Sequence, residues 1–537
     1  MTASTRWHTP AEAVAWLQGR VTGTLRTDHR LIQPGDGFLA WPGAARDARE
    51  FLDQAVQAGA VACLAEGDGA DRFQWQPETT AALALYPRLK HDCGAIASLW
   101  HSQPSQHLPV VAVTGTNGKT SVSWWVAQAM RQLGRPFGLV GTLGVGIWPQ
   151  LTDTGLTSPD PLRLQAGLAA MRHDGAAGCI MEASSIGLQE GRLNATRIQV
   201  AAFTNFTQDH LDYHGSMDAY WQAKQSLFDW SGLRSAVVNV DDAHGAELAA
   251  RLAGQMAQGG TLQRLWSYAV ADDAAAWQAT PGQTRLQVSD IQFADAGTHF
   301  TLHEIDCDTA GAGLRHECAV AVQAPVTGLF NVHNLLAVIG ILRAQGVGLH
   351  EAAAVCAHLP AVPGRMQRIA VPGRPLVVVD YAHTPDAVSA VLQALRPVAQ
   401  QRGGVLHCVL GCGGNRDASK RPLMAQAAVS GAGRVCITSD NPRNESPRDI
   451  IDQMLAGLTA GQRAAVQVCE SRHEAIARTI AQAQPQDVVL LAGKGHENYQ
   501  EVQGQRLPFS DMEQANAALA SSQSLQPSPC LQEEPRA

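Results

Sequence analysis

The sequence predicts an α/β protein of three domains: a small N-terminal α/β domain, a central mostly parallel domain built around a phosphate loop, and a C-terminal Rossmann-like domain. Three observations predict this. The chain has 537 residues, too many for a single hydrophobic core. Apolar runs without polar alternation recur between helical stretches, the pattern of parallel strands covered on both faces. One of these runs ends in a glycine turn followed by Lys-Thr and a helix.

The N-terminal domain is expected over 1–107, where short apolar runs (Gly37-Phe38-Leu39-Ala40, Ala60-Val61-Ala62-Cys63-Leu64) are separated by turn residues. The polar stretch His101-Ser102-Gln103-Pro104-Ser105-Gln106-His107 reads as a linker. The central domain is expected over 108–358. Its strand runs are Val110–Val113, Phe137–Val140, Cys179–Met181, Val200–Phe203 and Ala236–Val240, with an unclear stretch at 260–325 that suits an antiparallel extension. A second series (Leu376–Val379, Leu406–Leu410, Val435–Thr438, Val488–Leu491) marks a doubly wound domain over 359–520. The polar, Pro-containing end, 521–537, is expected to be a disordered tail.

Composition narrows the class. Apolar residues make up 45% and charged residues 16%, which suits a soluble globular protein. A net charge of −8 argues against a general nucleic-acid binder but leaves room for a local cationic pocket. The eleven cysteines form no CxxC pair and no zinc spacing, and read as reduced core thiols of a cytoplasmic protein. No signal-peptide core or membrane-spanning run is present, so no membrane partner is expected.

The strongest local signal is Val110-Val111-Ala112-Val113-Thr114-Gly115-Thr116-Asn117-Gly118-Lys119-Thr120-Ser121, followed by the helical Ser123–Met130. Glycines let backbone N–H groups approach phosphate oxygens, and the helix N-terminus adds positive potential. Lys119 can neutralise the β- and γ-phosphates, and Thr120 can hold Mg²⁺. Only two residues separate the glycines where the Walker pattern has four. The bland alternative is an ordinary strand-to-helix turn.

Other residues are ambiguous by themselves. Glu182, just past a strand end, reads as a carboxylate at a helix start. His210 and His214 read as a surface pair, and their spacing invites zinc, for which no third soft ligand is placed. Lys224 reads as a solvated helix lysine. Ser439-Asp440-Asn441-Pro442-Arg443 follows a strand end, where open α/β sheets bind ligands, or is a turn with an exposed Arg.

Taken in order, several segments resemble one family. They are Thr114–Thr120, Met181-Glu182-Ala183-Ser184-Ser185, Thr204-Asn205-Phe206-Thr207-Gln208-Asp209-His210-Leu211-Asp212-Tyr213-His214-Gly215, Tyr220–Phe228, Gly328-Leu329-Phe330-Asn331-Val332-His333-Asn334 and Asp380-Tyr381-Ala382-His383-Thr384-Pro385-Asp386. The chain is identified as resembling the Mur ligases, whose relatives include folylpolyglutamate synthase, and among them the ligases that add diaminopimelate in peptidoglycan synthesis.

The resemblance implies ATP, Mg²⁺ and a substrate carboxylate on UDP-N-acetylmuramoyl-L-Ala-D-Glu. The carboxylate is phosphorylated, and an amino-acid amine, here of meso-diaminopimelate, attacks the acyl phosphate. It implies a catalytic group of Lys119, Glu182, His210 and Lys224, with Thr120, Glu182, His210 and Lys224 on the metal. Lys224 is then carbamylated by CO₂. The ATP site would comprise Gly115, Thr116, Asn117, Gly118, Lys119, Thr120, Ser121, Asn331, Asn334, Arg365 and Asp380, with Arg365 at a hinge into the last domain. The muramoyl peptide would meet Thr157, Ser158, Ser184, Glu190 and Arg192, and the UDP would meet Thr27, His29, Ala44, Ala45 and Arg46. Two of these positions depart from the family: Asp28-His29-Arg30 stands where Asp-Ser-Arg is usual, and Glu190 where Gln is.

The segment Asp440, Asn441, Pro442, Arg443, together with Arg416, Gly493 and Glu497, matches diaminopimelate contacts. Arg443 can grip the distal carboxylate in a bidentate pair, and Glu497 can hold the distal amine. Lysine would leave a buried Arg unpaired, at a cost of ~3–5 kcal/mol. The same resemblance implies a monomer. A lysine-adding or folate-type ligase, or a regulatory ATPase without ligase activity, would share the loop.

Overall fold

The computed structural model describes residues 5–43, 46–270, 282–294, 297–307 and 315–521. Ala44, Ala45 and the expected tail after Ser521 lie outside the described residues. Three main sheets follow one another along the chain.

The first sheet has five parallel strands in the order Thr5–Arg6, Leu83–Tyr86, Ala62–Glu66, Gly37–Ala40 and Leu25–Arg26. Its helix Leu89–Trp100 packs on Pro161–His173 of the next unit. Leu162 of that neighbour is buried in the first core, and Gly94 lies so close to the Asn194 carbonyl that a Cβ would collide. The polar stretch 101–107, read as a linker, is packed rather than loose: Ser105 is buried and its Oγ accepts from the Arg197 N–H at 3.0 Å.

The second sheet has eleven strands. Its centre runs Arg264–Ala269, Ser235–Asn239, Ile198–Phe203, Val110–Thr114, Gly178–Glu182 and Phe137–Gly141, all parallel. Strand Gln283–Ala294 joins in parallel, and Gly297–Cys307 and Arg315–Ala324 then pair antiparallel. The antiparallel extension expected over 260–325 therefore starts one strand late, because Arg264–Ala269 is still a parallel strand. A hairpin of Gly144–Ile147 and Gln150–Thr152, not expected from the sequence, extends the other edge.

Helix Leu329–Ala344 is buried almost all round, as its near-continuous apolar sequence requires. It delivers Asn331 and Asn334 to the start of helix Lys119–Gln132. Helix Pro161–His173 begins where the Asp160 carboxylate accepts from the N–H groups of Leu162 and Arg163, with Pro161 pre-set for the first turn.

The third sheet runs Gln367–Ile369, Leu376–Asp380, Val488–Ala492, Leu406–Leu410, Arg434–Ile437 and Gln467–Val468, parallel except at its first strand. The short edge strands and the hairpin Tyr499–Val502/Gln505–Pro508 add to the four strands read from sequence.

Beneath this sheet Arg472 is fully buried and paired with Asp511 at 2.6 Å, and it also donates to the Ala492 carbonyl at 2.9 Å. Removing the guanidinium would strand a carboxylate with no exposure to water. Arg472→Met is expected to lower unfolding free energy by ~3–5 kcal/mol, read by urea denaturation. A loss below ~1 kcal/mol would show that the pair is dispensable.

Candidate active site

The loop after Val110–Thr114 needs its glycines. Gly115 and Gly118 have φ of +144° and +89°, and a Cβ on either would strike Thr204 or Asn334. The loop is held from the neighbouring strand end. Thr116 N–H donates to the Asn205 carbonyl at 2.8 Å, Asn117 N–H to Asn205 Oδ1 at 2.9 Å, and Thr204 Oγ1 to the Asn117 carbonyl at 2.6 Å. Lys119 folds back, its Nζ donating to the carbonyls of Gly115 and Thr116 at 2.9 Å each. Burial pulls its pKa down, against the nearby carboxylates of Glu182 and Asp209.

Glu182 ends its strand almost fully buried. Its carboxylate accepts from Thr120 Oγ1 at 3.0 Å, Thr142 N–H at 2.8 Å and Thr142 Oγ1 at 3.2 Å. The helix-start role falls to Ser184 instead, whose Oγ accepts from Gly187 N–H. Arg365 Nη2 donates to Thr120 Oγ1 at 3.2 Å, and its guanidinium lies 4.2 Å from the Tyr381 ring centroid. That places it beside the phosphate loop, at the loop end of the cavity.

Lys224 is not solvated: it is 1% exposed, and its Nζ donates to the Gly115 carbonyl at 2.7 Å. Burial, and then the nearby Lys119, drive its pKa well below that of an ordinary lysine. His210 caps a short helix in a left-handed conformation (φ +54°). Burial pushes its pKa down to about 3. His214 turns away, with Nε2 3.0 Å from Ser185 Oγ, so the two histidines do not converge on a metal. Among the described residues no group of three or more His, Cys, Asp or Glu is placed to hold a metal ion. What converges is Thr120 and Glu182, with His210 and Lys224 lining the same cavity. Hard oxygen donors in small number suit Mg²⁺ sharing its shell with substrate phosphates.

The loop opens into a cavity of about 670 Å³ lined also by Ser121, Asn331, Asn334 and Asp380. A second cavity of about 730 Å³ is lined by Ser158, Arg192, Arg416, Asp440, Asn441, Arg443, Gly493 and Glu497. The two share Thr142, Thr157, Ser184, Asp209, His210, Tyr381 and His383. At this seam Asp209 is buried, with Lys420 of the third unit at 3.0 Å, His210 at 3.5 Å and His383 at 3.6 Å. Burial opposes its charge, yet His383, Lys420 and His210 hold its pKa well below the usual carboxylate range.

In the second cavity Arg192 Nη1 donates to the Ser158 carbonyl at 3.0 Å, and Ser158 and Ser184 hydroxyls lie 3.0 Å apart. Arg443 has φ +52°; its Nη1 donates to the Gly414 carbonyl at 2.8 Å and its Nε is 3.2 Å from Glu501. The Pro442 carbonyl packs on Gly414. Six of the described sequence-selected residues line neither cavity: Gly115, Pro442, Thr27, His29, Arg46 and Glu190. Thr27, His29 and Arg46 sit in the first unit, with His29 stacked on Phe51 at 4.2 Å. Glu190 is engaged by Lys90 at 2.6 Å and by the Tyr213 hydroxyl, and so ties the first two units together. Thr142, Thr204, Asn205, Asp209, Tyr381, Lys420 and Lys494 were not selected from sequence. They are threonines, amides and charges with no motif of their own, although several lie within the quoted segments.

A phosphate loop facing a second, charged cavity across a shared seam defines a nucleotide-dependent enzyme that brings two substrates together. The chain matches the Mur ligase middle domain over 113–342 and the Mur ligase glutamate ligase domain over 364–495. It is 54% identical over 516 residues to the UDP-N-acetylmuramoyl-L-alanyl-D-glutamate–2,6-diaminopimelate ligase of Acidovorax sp. (strain JS42), covering 95% of this chain and 97% of that one. The ligase of that name from Pseudomonas aeruginosa is 45% identical, over 92% of this chain and 94% of its own. A solved structure of a ligase of that name superposes with a TM-score of 0.58 at 35% identity, over 93% of this chain and 95% of that one. The chain belongs to the Mur ligase family.

Two of the depressed pKa shifts, those of His210 and Asp209, fix a sign for stability against pH. The folded state keeps His210 neutral down to about 3, while the unfolded chain protonates it near 6.5. Between those values the unfolded state binds more protons, so stability falls as pH falls. Asp209 adds stability that is present above the unfolded carboxylate value and is lost on further acidification. His210→Gln is expected to lose less stability than the unmodified protein between pH 7.5 and 5, measured by urea midpoints. Parallel slopes would show that the imidazole is not held neutral.

Proposed function

We propose that the chain is an ATP-dependent, ADP-forming ligase that adds meso-diaminopimelate to UDP-N-acetylmuramoyl-L-Ala-D-Glu in peptidoglycan precursor synthesis. One observation carries it: the phosphate-loop cavity and the Asp-Asn-Pro-Arg cavity meet at a common seam. The relatives that share most of its length bear the name of that reaction.

The chemistry follows from the placement. A carboxylate is a poor electrophile, so ATP first converts it to an acyl phosphate, releasing ADP. The amine then attacks the acyl carbon, and phosphate leaves. Both steps gather negative charge, and positioned cations stabilise it. Lys119 needs only to swing from the loop carbonyls to reach the phosphates, and Arg365 stands at the same end. Thr120 and Glu182 would hold Mg²⁺, which supplies Lewis-acid neutralisation of phosphate charge when bound. Asn331, Asn334 and Asp380 line the nucleotide side. Thr157, Ser158, Ser184 and Arg192 line the side of the acceptor carboxylate, and the first unit, 1–107, takes the UDP. The central unit, 108–358, and the last, 359–520, close over the acyl phosphate and exclude water.

Lys224 belongs to this reading as a carbamate. Its amine is buried, and among the described residues no carboxylate pairs with it. A neutral amine takes up CO₂ and releases one proton, turning the side chain into an oxygen ligand. The reading includes a cytoplasmic monomer; among the described residues no helix is long and apolar enough to cross a membrane.

Phosphate release with ATP, Mg²⁺ and the muramoyl dipeptide is expected with meso-diaminopimelate and not with L-lysine; turnover with lysine alone would overturn the assignment of the second cavity. Arg443→Met is expected to raise KM for diaminopimelate ~10–100-fold, the worth of a charged hydrogen bond, with KM for ATP unchanged. With ¹³C-bicarbonate, the unmodified protein is expected to show a carbamate carbon resonance that Lys224→Ala lacks. Its absence from the unmodified protein would refute the modification.

A further inference from the structure

Lys494 follows Gly493, whose φ of +114° turns the chain at the end of strand Val488–Ala492. A Cβ on Gly493 would stand 2.6 Å from Asp440 Oδ2, so the turn is pressed against that carboxylate. The Lys494 side chain is completely buried. Its Nζ lies 3.0 Å from Asn441 Oδ1, 3.0 Å from Glu497 Oε2 and 3.6 Å from Asp440 Oδ1. An ammonium has three donors, and here they point at three residues that line the second cavity.

The network extends one step further. Asn441 Nδ2 donates to Glu497 Oε2 at 2.7 Å, and Asn441 Oδ1 also accepts from Glu501 N–H at 2.9 Å. Both side-chain donors that meet Glu497 therefore take the same oxygen. Oε1 accepts no hydrogen bond from the described residues.

We propose that Lys494 is a positioning residue that sets the charge of the amino-acid cavity and thereby its preference for a zwitterionic end over a bare amine. The inference rests on the proposed ligase reading and deepens it. Asp440 and Glu497 bring two negative charges, and Lys494 cancels one, leaving a single negative charge for one incoming ammonium. Arg443, held at Nε by Glu501 and at Nη1 by the Gly414 carbonyl, then presents Nη2 to the carboxylate beside that ammonium. Without Lys494 the two carboxylates would repel the substrate carboxylate and favour an amine that lacks one. The fixed Oε2 also orients Glu497 for a contact through Oε1.

The test compares kinetics of the full-length protein and Lys494→Met with ATP, Mg²⁺, the muramoyl dipeptide and either diaminopimelate or L-lysine. The expected result is a rise of about thirtyfold or more in KM for diaminopimelate, of the size seen when one partner of a buried charge pair is truncated. KM for ATP and for the muramoyl dipeptide should stay within about twofold, and the preference for diaminopimelate over lysine should fall about tenfold. An unmoved KM for diaminopimelate, or equal rises in all three KM values, overturns the role. Lys494→Gln keeps a donor without the charge: it should behave like Lys494→Met, and recovery of normal KM would overturn the charge argument. If Lys494→Met does not fold, the Gln variant is combined with Glu497→Gln. The second substitution should then cost less than it does alone, and strict additivity counts against the proposal. Turnover by the unmodified protein with neither amino acid overturns the proposed reaction itself.

Discussion

The buried pair of Asp209 and Lys420 is the constraint on which the arrangement of the two cavities depends. It joins the loop after a central strand to the start of a helix in the last unit, at 3.0 Å and with both side chains almost fully buried. Neither charge is tolerable there alone. A buried ion stripped of its partner costs several kcal/mol, while the intact pair contributes little net stability. The pair therefore acts less as glue than as a register: the two units fit when both charges are matched. Because the seam residues line both cavities, the register that satisfies Asp209 also aligns the two cavities. His210 and His383 flank the same carboxylate from the two units, so the junction is polar.

The functional groups sit where parallel sheets put them. Lys119, Glu182 and His210 follow the carboxyl ends of adjacent strands in the second sheet. Asp380, Asp440 and Lys494 stand at or just past strand ends in the third, where Leu406–Leu410 separates the strand before Asp440 from the strand before Lys494. Strand ends in an open α/β sheet leave a crevice, and here two crevices face each other. Glycines with positive φ at 115, 118 and 493 let the backbone turn sharply enough to leave the crevice floor free of side chains.

Much of this was legible in the sequence, for identifiable reasons. Buried parallel strands write themselves as continuous apolar runs, and Val110–Thr114, Gly178–Glu182, Leu406–Leu410 and Val488–Ala492 are strands where such runs stand. Edge strands carry no such signal. Gln367–Ile369 and Gln467–Val468 are two or three residues long and partly exposed, and the hairpin at Gly144–Thr152 is glycine-rich and mixed in polarity. The phosphate loop was legible because glycine and Lys-Thr spacing reflects local geometry. Asp209, Lys420 and Lys494 were not, since their meaning lies in partners 211 or 53–54 positions away in the chain, or in packing alone. Lys224 shows the limit most clearly. Its helix reads as polar, only the family resemblance points to its role, and the fold sets its amine under the phosphate loop against Gly115.

The two cavities also differ in how they resist the wrong occupant. The nucleotide side is held mainly by backbone and neutral donors, so it selects by shape and by phosphate charge. The other side is a set of paired charges, buried at Lys494 and Asp440 and partly exposed at Glu497, Arg443 and Glu501: Arg443 with Glu501, and Lys494 with Asp440 and Glu497. Such a set discriminates by leaving something unpaired when the occupant is incomplete, and an unpaired buried charge costs more than a lost contact. On the proposed reading, a substrate with both an ammonium and a carboxylate at its far end completes the set, and a plain amine satisfies one half and strands the other. Selectivity in the proposed ligase is then a property of the charge network around the pocket as much as of the residues that touch the substrate.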